Sequence, residues 1–221
     1  ALMTTGTMAM LKEDGATPAD PFDFGGGRVQ PAVANNVGLI FEESESNYLA
    51  ADPAQGGDPA SLNVPHAVSE GCVQSCSWQR TVTAVADGTW TVVPGDFTSA
   101  DVTEFTLLAG ETQTLEITAD SSILPADAYA FDTLTLMPVD QSMSTQHITV
   151  AVAPARGDIP GNVNIDASRD ADSILLKNLT AIEITQLTTE TFGLNKADQL
   201  DFTVEQDSDN SSPYDDLTDG V

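Results

Sequence analysis

The sequence predicts a mostly β protein built around an antiparallel β-sandwich of the immunoglobulin or fibronectin type. Residues 61–154 contain short segments in which apolar and polar residues alternate, as in strands with one buried face. Glycine, proline and aspartate residues that favour turns separate these segments. Asp87-Gly88 lies between two of them and is a strong signal for a type I′ hairpin.

Six segments within this region are predicted as strands: 80–86, 89–93, 102–108, 112–119, 131–137 and 146–153. In the fourth segment Leu115 and Ile117 share one face, which we expect to be buried, while threonine and glutamate occupy the other. In the last segment Ile148 and Val150 are predicted to point inward. His147 then lies on the solvent face, and we interpret it as a surface residue.

Residues 1–60 precede the predicted sandwich and contain little regular alternation. Consecutive glycines at 25–27 allow positive φ angles and a close approach of two backbone segments. Pro31 fits the first position of a short helical turn, and Gly38 can end that turn in a left-handed conformation. We expect irregular structure here, packed against the following domain or exchanged between two copies in a homodimer.

Residues 155–221 are predicted to form the first part of a second β-rich domain, after a linker rich in proline and glycine. Segments 163–165, 173–176, 181–187 and 200–204 are the predicted strands, and the last alternates clearly. Four strands with one apolar face rarely close alone. The segment therefore predicts a partial second β-sandwich with an exposed or shared edge.

Composition excludes several classes of partner. The 221 residues carry 34 acidic and 7 basic side chains, for a formal net charge of −27. Binding to nucleic acid or to an anionic membrane surface depends on lysine and arginine, so neither partner is expected. No apolar run approaches the ~20 residues of a membrane span. The acidity fits a soluble protein of a secreted or cell-surface compartment.

Cys72 and Cys76 are the only cysteines and lie four positions apart. A disulfide would close a very small loop and contribute about 2 kcal/mol in the chain-entropy model. Free thiols and a zinc site are the alternatives, and zinc would need two further ligands, for which His66 is the only nearby candidate. We predict the disulfide and no bound cofactor, and we interpret His66 as structural.

The acidic stretch 206–220 contains Asp207 and Asp209, which have the spacing of calcium-loop ligands together with Ser211. The glycine and the closing bidentate glutamate of such a loop are missing. A solvated loop is the alternative, so Asp207 and Asp209 remain weak candidates for a calcium site.

Several segments resemble one protein family. Residues 21–39 (PFDFGGGRVQPAVANNVGL) are similar to the end of the catalytic domain of subtilisin-like serine proteases, with its Pro-Phe-Asp-Phe-Gly-x-Gly, Val-x-Pro-x-x-Ala and Gly-Leu-(Val/Ile) elements. Further matches in family order are Ala1-Leu2-Met3-Thr4-Thr5, Asn47-Tyr48-Leu49, Leu62-Asn63-Val64-Pro65 and Arg80-Thr81-Val82-Thr83. The last two resemble the fibronectin type III-like domain of the family, although Ala84-Val85-Ala86 replaces its usual Asn-Val-Gly.

The resemblance implies a non-catalytic role, because the aspartate, histidine and serine of the family's triad lie before the point that Ala1 matches. We expect the non-catalytic C-terminal region of a secreted endopeptidase, which is inactive alone and stabilises its own catalytic domain. Shaping substrate access and forming a dimer are the further roles expected of it. Protein substrates would be partners of the parent enzyme and would contact this chain only as part of it. The alternative is an extracellular β-sandwich module for binding or adhesion, in which calcium could take part.

Overall fold

The computed structural model describes residues 1–125 and 128–157, and these form a sandwich of two β-sheets preceded by an N-terminal segment. The strands are β1 Leu39–Ile40, β2 His66–Val73, β3 Ser75–Ala84, β4 Gly88–Val93, β5 Thr98–Ala100, β6 Glu104–Leu107, β7 Thr112–Asp120, β8 Ala130–Pro138 and β9 Gln146–Ala155. The predicted mostly β fold of the immunoglobulin-like kind is confirmed.

The four-stranded sheet has the order β1-β3-β7-β5, and the five-stranded sheet has the order β2-β9-β8-β4-β6. Neighbouring strands are antiparallel except β2 and β9, which run parallel. The core lies between the sheets. Its fully buried side chains include Leu39, Val82, Trp90, Leu115, Ile117, Leu134, Leu136, Ile148, Val150 and Val152. The predicted inward face of the strand at 112–119 is therefore correct.

Short helices punctuate the N-terminal segment: α1 Pro21–Phe24, α2 Pro31–Ala34, α3 Glu45–Ala50, and 3₁₀ turns at Pro53–Gln55 and Pro59–Ser61. Proline occupies the first turn of four of these five elements, where its missing N–H leaves no donor unpaired. Asp20 caps α1, and Ser44 caps α3 by accepting a hydrogen bond from the Asn47 N–H. Helix α2 ends at Ala34, so the prediction that Gly38 ends it is wrong.

The predicted Asp87-Gly88 hairpin is also wrong. This dipeptide joins β3 to β4, which belong to different sheets and do not pair. The Asp87 carboxylate instead accepts a hydrogen bond of 2.8 Å from the Ala109 N–H in the turn between β6 and β7, another connection between the sheets. The same turn residues reverse the chain in either setting, so local sequence does not distinguish a hairpin from a crossover.

The predicted exposure of His147 is wrong as well. Strand β9 is buried on both faces, and His147 and Thr149 are buried beside Ile148 and Val150. The N-terminal segment supplies the cover: its Gly26 carbonyl lies 3.2 Å from the His147 imidazole, and its Thr4 carbonyl accepts a hydrogen bond of 2.8 Å from the His147 backbone N–H.

Within the described ranges, no helix has the length and apolar character needed to cross a membrane. The predicted division at residues 1–60, 61–154 and 155–221 stays a prediction. Most of its third part, 158–221, lies outside the described residues, and so do the predicted strands there and the calcium candidates Asp207 and Asp209.

Candidate functional site

A buried glutamine fixes the N-terminal segment, defined here as residues 1–50, to the sandwich. Gln146 is 1% exposed. Its amide nitrogen donates to the Thr4 hydroxyl at 2.8 Å and to the Leu39 carbonyl at 2.9 Å, and its amide oxygen accepts from the Leu39 N–H at 3.1 Å. The Gln146 side chain thus binds the backbone of Leu39 as a neighbouring strand would, and it also binds Thr4 near the start of the chain.

Other polar contacts complete what we call the seam, the contact between the N-terminal segment and residues 144–147 at the start of β9. The Ser144 hydroxyl donates to the Val33 carbonyl at 2.7 Å, and the Ser144 N–H donates to the Asn36 carbonyl at 2.8 Å. The His147 imidazole lies 3.2 Å from the Gly26 carbonyl. Burial lowers the pKa of His147, so the neutral ring is favoured in the folded protein.

Of the three consecutive glycines at 25–27, Gly26 and Gly27 serve close backbone packing. Gly25 and Gly27 have φ angles of +59° and +94°, as expected from the sequence. A side chain at Gly26 would lie 2.9 Å from the Met3 carbonyl oxygen. Beside it, Arg28 and Thr7 exchange backbone hydrogen bonds of 2.9 and 3.0 Å. The glycines therefore allow residues 3–7 to lie directly on the turn.

The segment also exposes large apolar side chains. Of the fifteen large apolar residues that are exposed in the described chain, seven lie within it: Leu2, Met3, Leu11, Phe22, Val29, Tyr48 and Leu49. Phe22 is 61% exposed and packs edge-on against Tyr129 and Phe131, with ring centroids 4.8 and 5.0 Å away. The N-terminal segment is thus hydrogen-bonded to the sandwich and also exposes apolar side chains to solvent.

A second feature is a cleft of about 950 Å³ between β2 and β3. The two strands leave a tight turn and separate into different sheets. At this turn Cys72 and Cys76 form a disulfide, and Gln74 has a φ angle of +62°. The 3₁₀ turn Pro59–Ser61 lines the cleft together with strand residues.

Two side chains of β3 cross the cleft to β2. Arg80 is 2% exposed. Its guanidinium donates to the Val64, His66 and Gln79 carbonyls at 2.6–2.8 Å. The Trp78 indole donates to the Val68 carbonyl at 3.2 Å. The bonds to Val64, His66 and Val68 satisfy carbonyls of β2 and its approach that face away from β9 and have no strand neighbour on that side among the described residues.

His66 lies at the end of the cleft with its Nδ1 atom 2.6 Å from the Thr149 hydroxyl. Burial lowers the pKa of His66, and the neighbouring His147 and Arg80 lower it further. In the described part of the chain neither histidine is hydrogen-bonded to a serine hydroxyl, the contact on which serine-nucleophile chemistry depends. Across the same residues, no three His, Cys, Asp or Glu side chains are arranged to hold a metal ion.

Sequence reasoning missed Gln146 and Arg80. Arg80 shares its strand parity with Trp78 and Val82, and that parity was a usable signal for an inward-facing arginine. Gln146 is the first residue of β9 and carried no comparable signal.

No protein-family profile matches the sequence. Among solved structures, the chain is similar to the periplasmic chaperone SfaE, with 13% identity, a TM-score of 0.34, and coverage of 42% of this chain and 55% of that one. It is also similar to WR4, an MSP family member of Caenorhabditis elegans, with 15% identity, a TM-score of 0.27, and coverage of 41% and 93%. At these TM-scores the likenesses carry no argument about function.

One curated protein is similar to this chain in sequence. The chain is 33% identical over 98 residues to the subtilisin-like protease SBT1.7 of Arabidopsis thaliana, and the match covers 34% of this chain and 13% of that protein. The chain therefore matches a small part of a much longer relative, and the similarity is to a subtilisin-like protease.

Proposed function

We propose that this chain is the non-catalytic C-terminal region of a secreted subtilisin-like serine endopeptidase and that it stabilises the catalytic domain. One observation carries the proposal: the N-terminal segment is hydrogen-bonded to the sandwich through Gln146 while it exposes apolar side chains. The same segment holds the motifs that resemble the end of a subtilisin-like catalytic domain. A segment with both properties is suited to couple such a domain to the sandwich.

The exposed side chains give this coupling an energetic basis. Full burial of a large apolar side chain contributes about 1.5–3 kcal/mol relative to its exposed state. Phe22 is mostly exposed, and so is Leu2 near the start of the chain. Seven exposed large apolar side chains in one 50-residue segment fit a surface that another domain covers. The proposed partner is the parent's own catalytic domain.

Secretion is the second part of the proposal. The disulfide between Cys72 and Cys76 supports it, since disulfides persist mainly in oxidising compartments. The net charge of −27 is compatible with an extracellular protein.

The decisive experiment uses the full-length parent protease. Its coding sequence upstream of Ala1 should contain a Gly-Thr-Ser-Met-Ala motif with the nucleophile, and a reading frame without that motif would contradict the proposal. In the same protein, replacing Leu2 and Phe22 by serine should lower the temperature at which peptide hydrolysis is lost. Leu108→Ser is the matched control, because Leu108 is 58% exposed in a turn of the sandwich. Equal effects of the two changes would also contradict the proposal.

The isolated chain gives an independent test of inactivity. It should not hydrolyse a peptide substrate, and turnover that a serine-directed inhibitor abolishes would refute the non-catalytic role. A melting temperature that rises with calcium would instead support the adhesion-module alternative. Elution of the chain as a dimer would indicate segment exchange.

A further inference from the structure

Among the described residues, the outer edge of β3 is only partly paired. Residues at even positions of β3 bond to β7, so the backbone groups of Thr83, Thr81, Gln79 and Ser77 point away from β7. Thr83 lies beside β1, and the Asn63 side chain exchanges hydrogen bonds of 2.7 and 2.8 Å with the Thr81 backbone. Below Thr81, the described residues provide only the Arg80 guanidinium, which donates to the Gln79 carbonyl.

The part of this edge that no described strand pairs with borders the cleft. Ser77 and Gln79 line it, as do the apolar side chains of Val68 and Trp78. An added strand here would pair with the backbone of Ser77 and Gln79 and point alternate side chains into the cleft. Asp58 and Glu70 also line the cleft. An inward carboxylate would therefore be repelled, and apolar inward side chains fit better.

The chain itself contains a segment with this pattern. Residues 182–185 read Ile-Glu-Ile-Thr, and residues 115–118 of β7 read Leu-Glu-Ile-Thr. In β7 the two apolar residues are fully buried and Glu116 is exposed. Strand β7 pairs with the opposite edge of β3, so a segment with the same inward and outward order suits the free edge.

The path of the chain brings this segment within reach. Strand β9 ends at Ala155, which lies beside Val73 at the turn that leads into β3. The chain thus leaves the described region next to the cleft. Residues 158–180 would reach any point of a sandwich this size at ~3.3 Å per extended residue. A tethered segment also has a high effective concentration at its site.

We propose that the cleft is an acceptor site for residues 181–187 of the same chain, which add as a strand to the edge of β3 at Ser77 and Gln79 with Ile182 and Ile184 directed into the cleft. Glu183 and Thr185 then lie on the solvent face, beside the exposed side chain of Gln79. This inference does not depend on the proposed role in a protease.

Disulfide scanning in the full chain tests the strand arrangement. Gln79→Cys is combined in turn with cysteine at positions 181 to 187, and the cross-links formed under mild oxidation are identified by mass spectrometry. Cross-linking should be confined to odd positions, because residues of one face recur every second position, and it should be strongest at the one position that lies opposite residue 79. Cysteines at Ile182 and Ile184 should not react. Uniform cross-linking, or none, would overturn the proposal. Cross-links found only between two molecules would overturn the assignment to the same chain and point to exchange between copies.

A proline substitution tests the edge independently of cysteine chemistry. Gln79→Pro removes the N–H that faces the proposed strand, and it should lower the melting temperature by about 4 °C or more through lost pairing and apolar burial. Ala100→Pro is the matched control: β5 bonds to β7 through Phe97 and Asp101, so the Ala100 N–H faces outward at the other edge of the same sheet. A free edge tolerates proline. Equal, small effects of both variants would therefore overturn the proposal.

Discussion

Replacing Gln146 by methionine should release the N-terminal segment from the sandwich. Methionine has a similar length and shape but cannot make the three hydrogen bonds of the amide to Leu39 and Thr4. The Leu39 N–H and C=O would then lose their partners in a residue that is completely buried. The Thr4 hydroxyl keeps its own hydrogen bond to the Ala1 carbonyl.

The expected loss of stability follows from these two orphaned groups. An unsatisfied buried polar group costs about 1–3 kcal/mol, so two cost about 2–6 kcal/mol. The apolar methionine recovers about 1 kcal/mol through burial. A net loss of about 1–5 kcal/mol corresponds to a melting temperature lower by about 2–20 °C for a protein of this size.

Scanning calorimetry and urea unfolding of the 221-residue chain measure this loss. Gln141→Met is the matched control, because Gln141 is exposed and makes no hydrogen bond to another described residue. That control should change the unfolding free energy by less than about 0.5 kcal/mol. If the two variants have equal stability, the amide of Gln146 does not hold the seam, and the coupling role of the N-terminal segment loses its basis.

Three further changes have defined outcomes. Burial lowers the pKa of His147 below its ordinary 6.5, so the unfolded chain takes up the proton first as the pH falls. The free energy of unfolding should therefore be at its full value above about pH 7 and decrease below pH 6.5. In His147→Gln this decrease should be smaller, as measured by urea midpoints across the pH range. Replacing Cys72 and Cys76 by serine should reduce the unfolding free energy by about 2 kcal/mol, and a reductant should then no longer alter the melting temperature. Gly38→Ala should destabilise by about 1–3 kcal/mol, because a Cβ there would lie 2.5 Å from a methionine sulfur and 2.6 Å from the buried tryptophan ring, whereas Gly71→Ala meets nothing within 4 Å and should not.

The strands could be predicted where one face alone is buried. In β7 the alternation around Leu115 and Ile117 matched the structure, because the opposite face of that strand is partly open to solvent. In β9 the same reasoning failed at His147, because distant residues enclose it: the Gly26 carbonyl lies against its imidazole, and the Thr4 carbonyl binds its backbone N–H. Alternation of apolar and polar residues depends on the strand itself. It does not reveal whether a segment distant in the sequence buries the second face of that strand.

The connections between strands were predicted less well for a related reason. Asp87-Gly88 indicates a tight reversal, but the sheet that receives the next strand is decided by long-range pairing. At the candidate site, the disulfide partners could be read from spacing, whereas the role of Gln146 depends on the backbone of Leu39, more than a hundred residues earlier. Arg80 is an intermediate case, since its parity predicts an inward position but not the carbonyls that receive its guanidinium.

The seam and the cleft address the same physical problem, which is how to satisfy the outer edge of a sheet that lacks a full partner strand. The outer edge of β3 is paired near Thr83 by β1, which Gln146 in turn holds through Leu39. It is paired at Thr81 by a single side chain, Asn63, and remains open beyond that point within the described residues. Because an open edge invites pairing with other chains, the two proposals together have one consequence. One segment that precedes the sandwich in the sequence and one that follows it would then pair with the outer edge of β3. The sandwich would bind both flanking regions of the chain through this one strand.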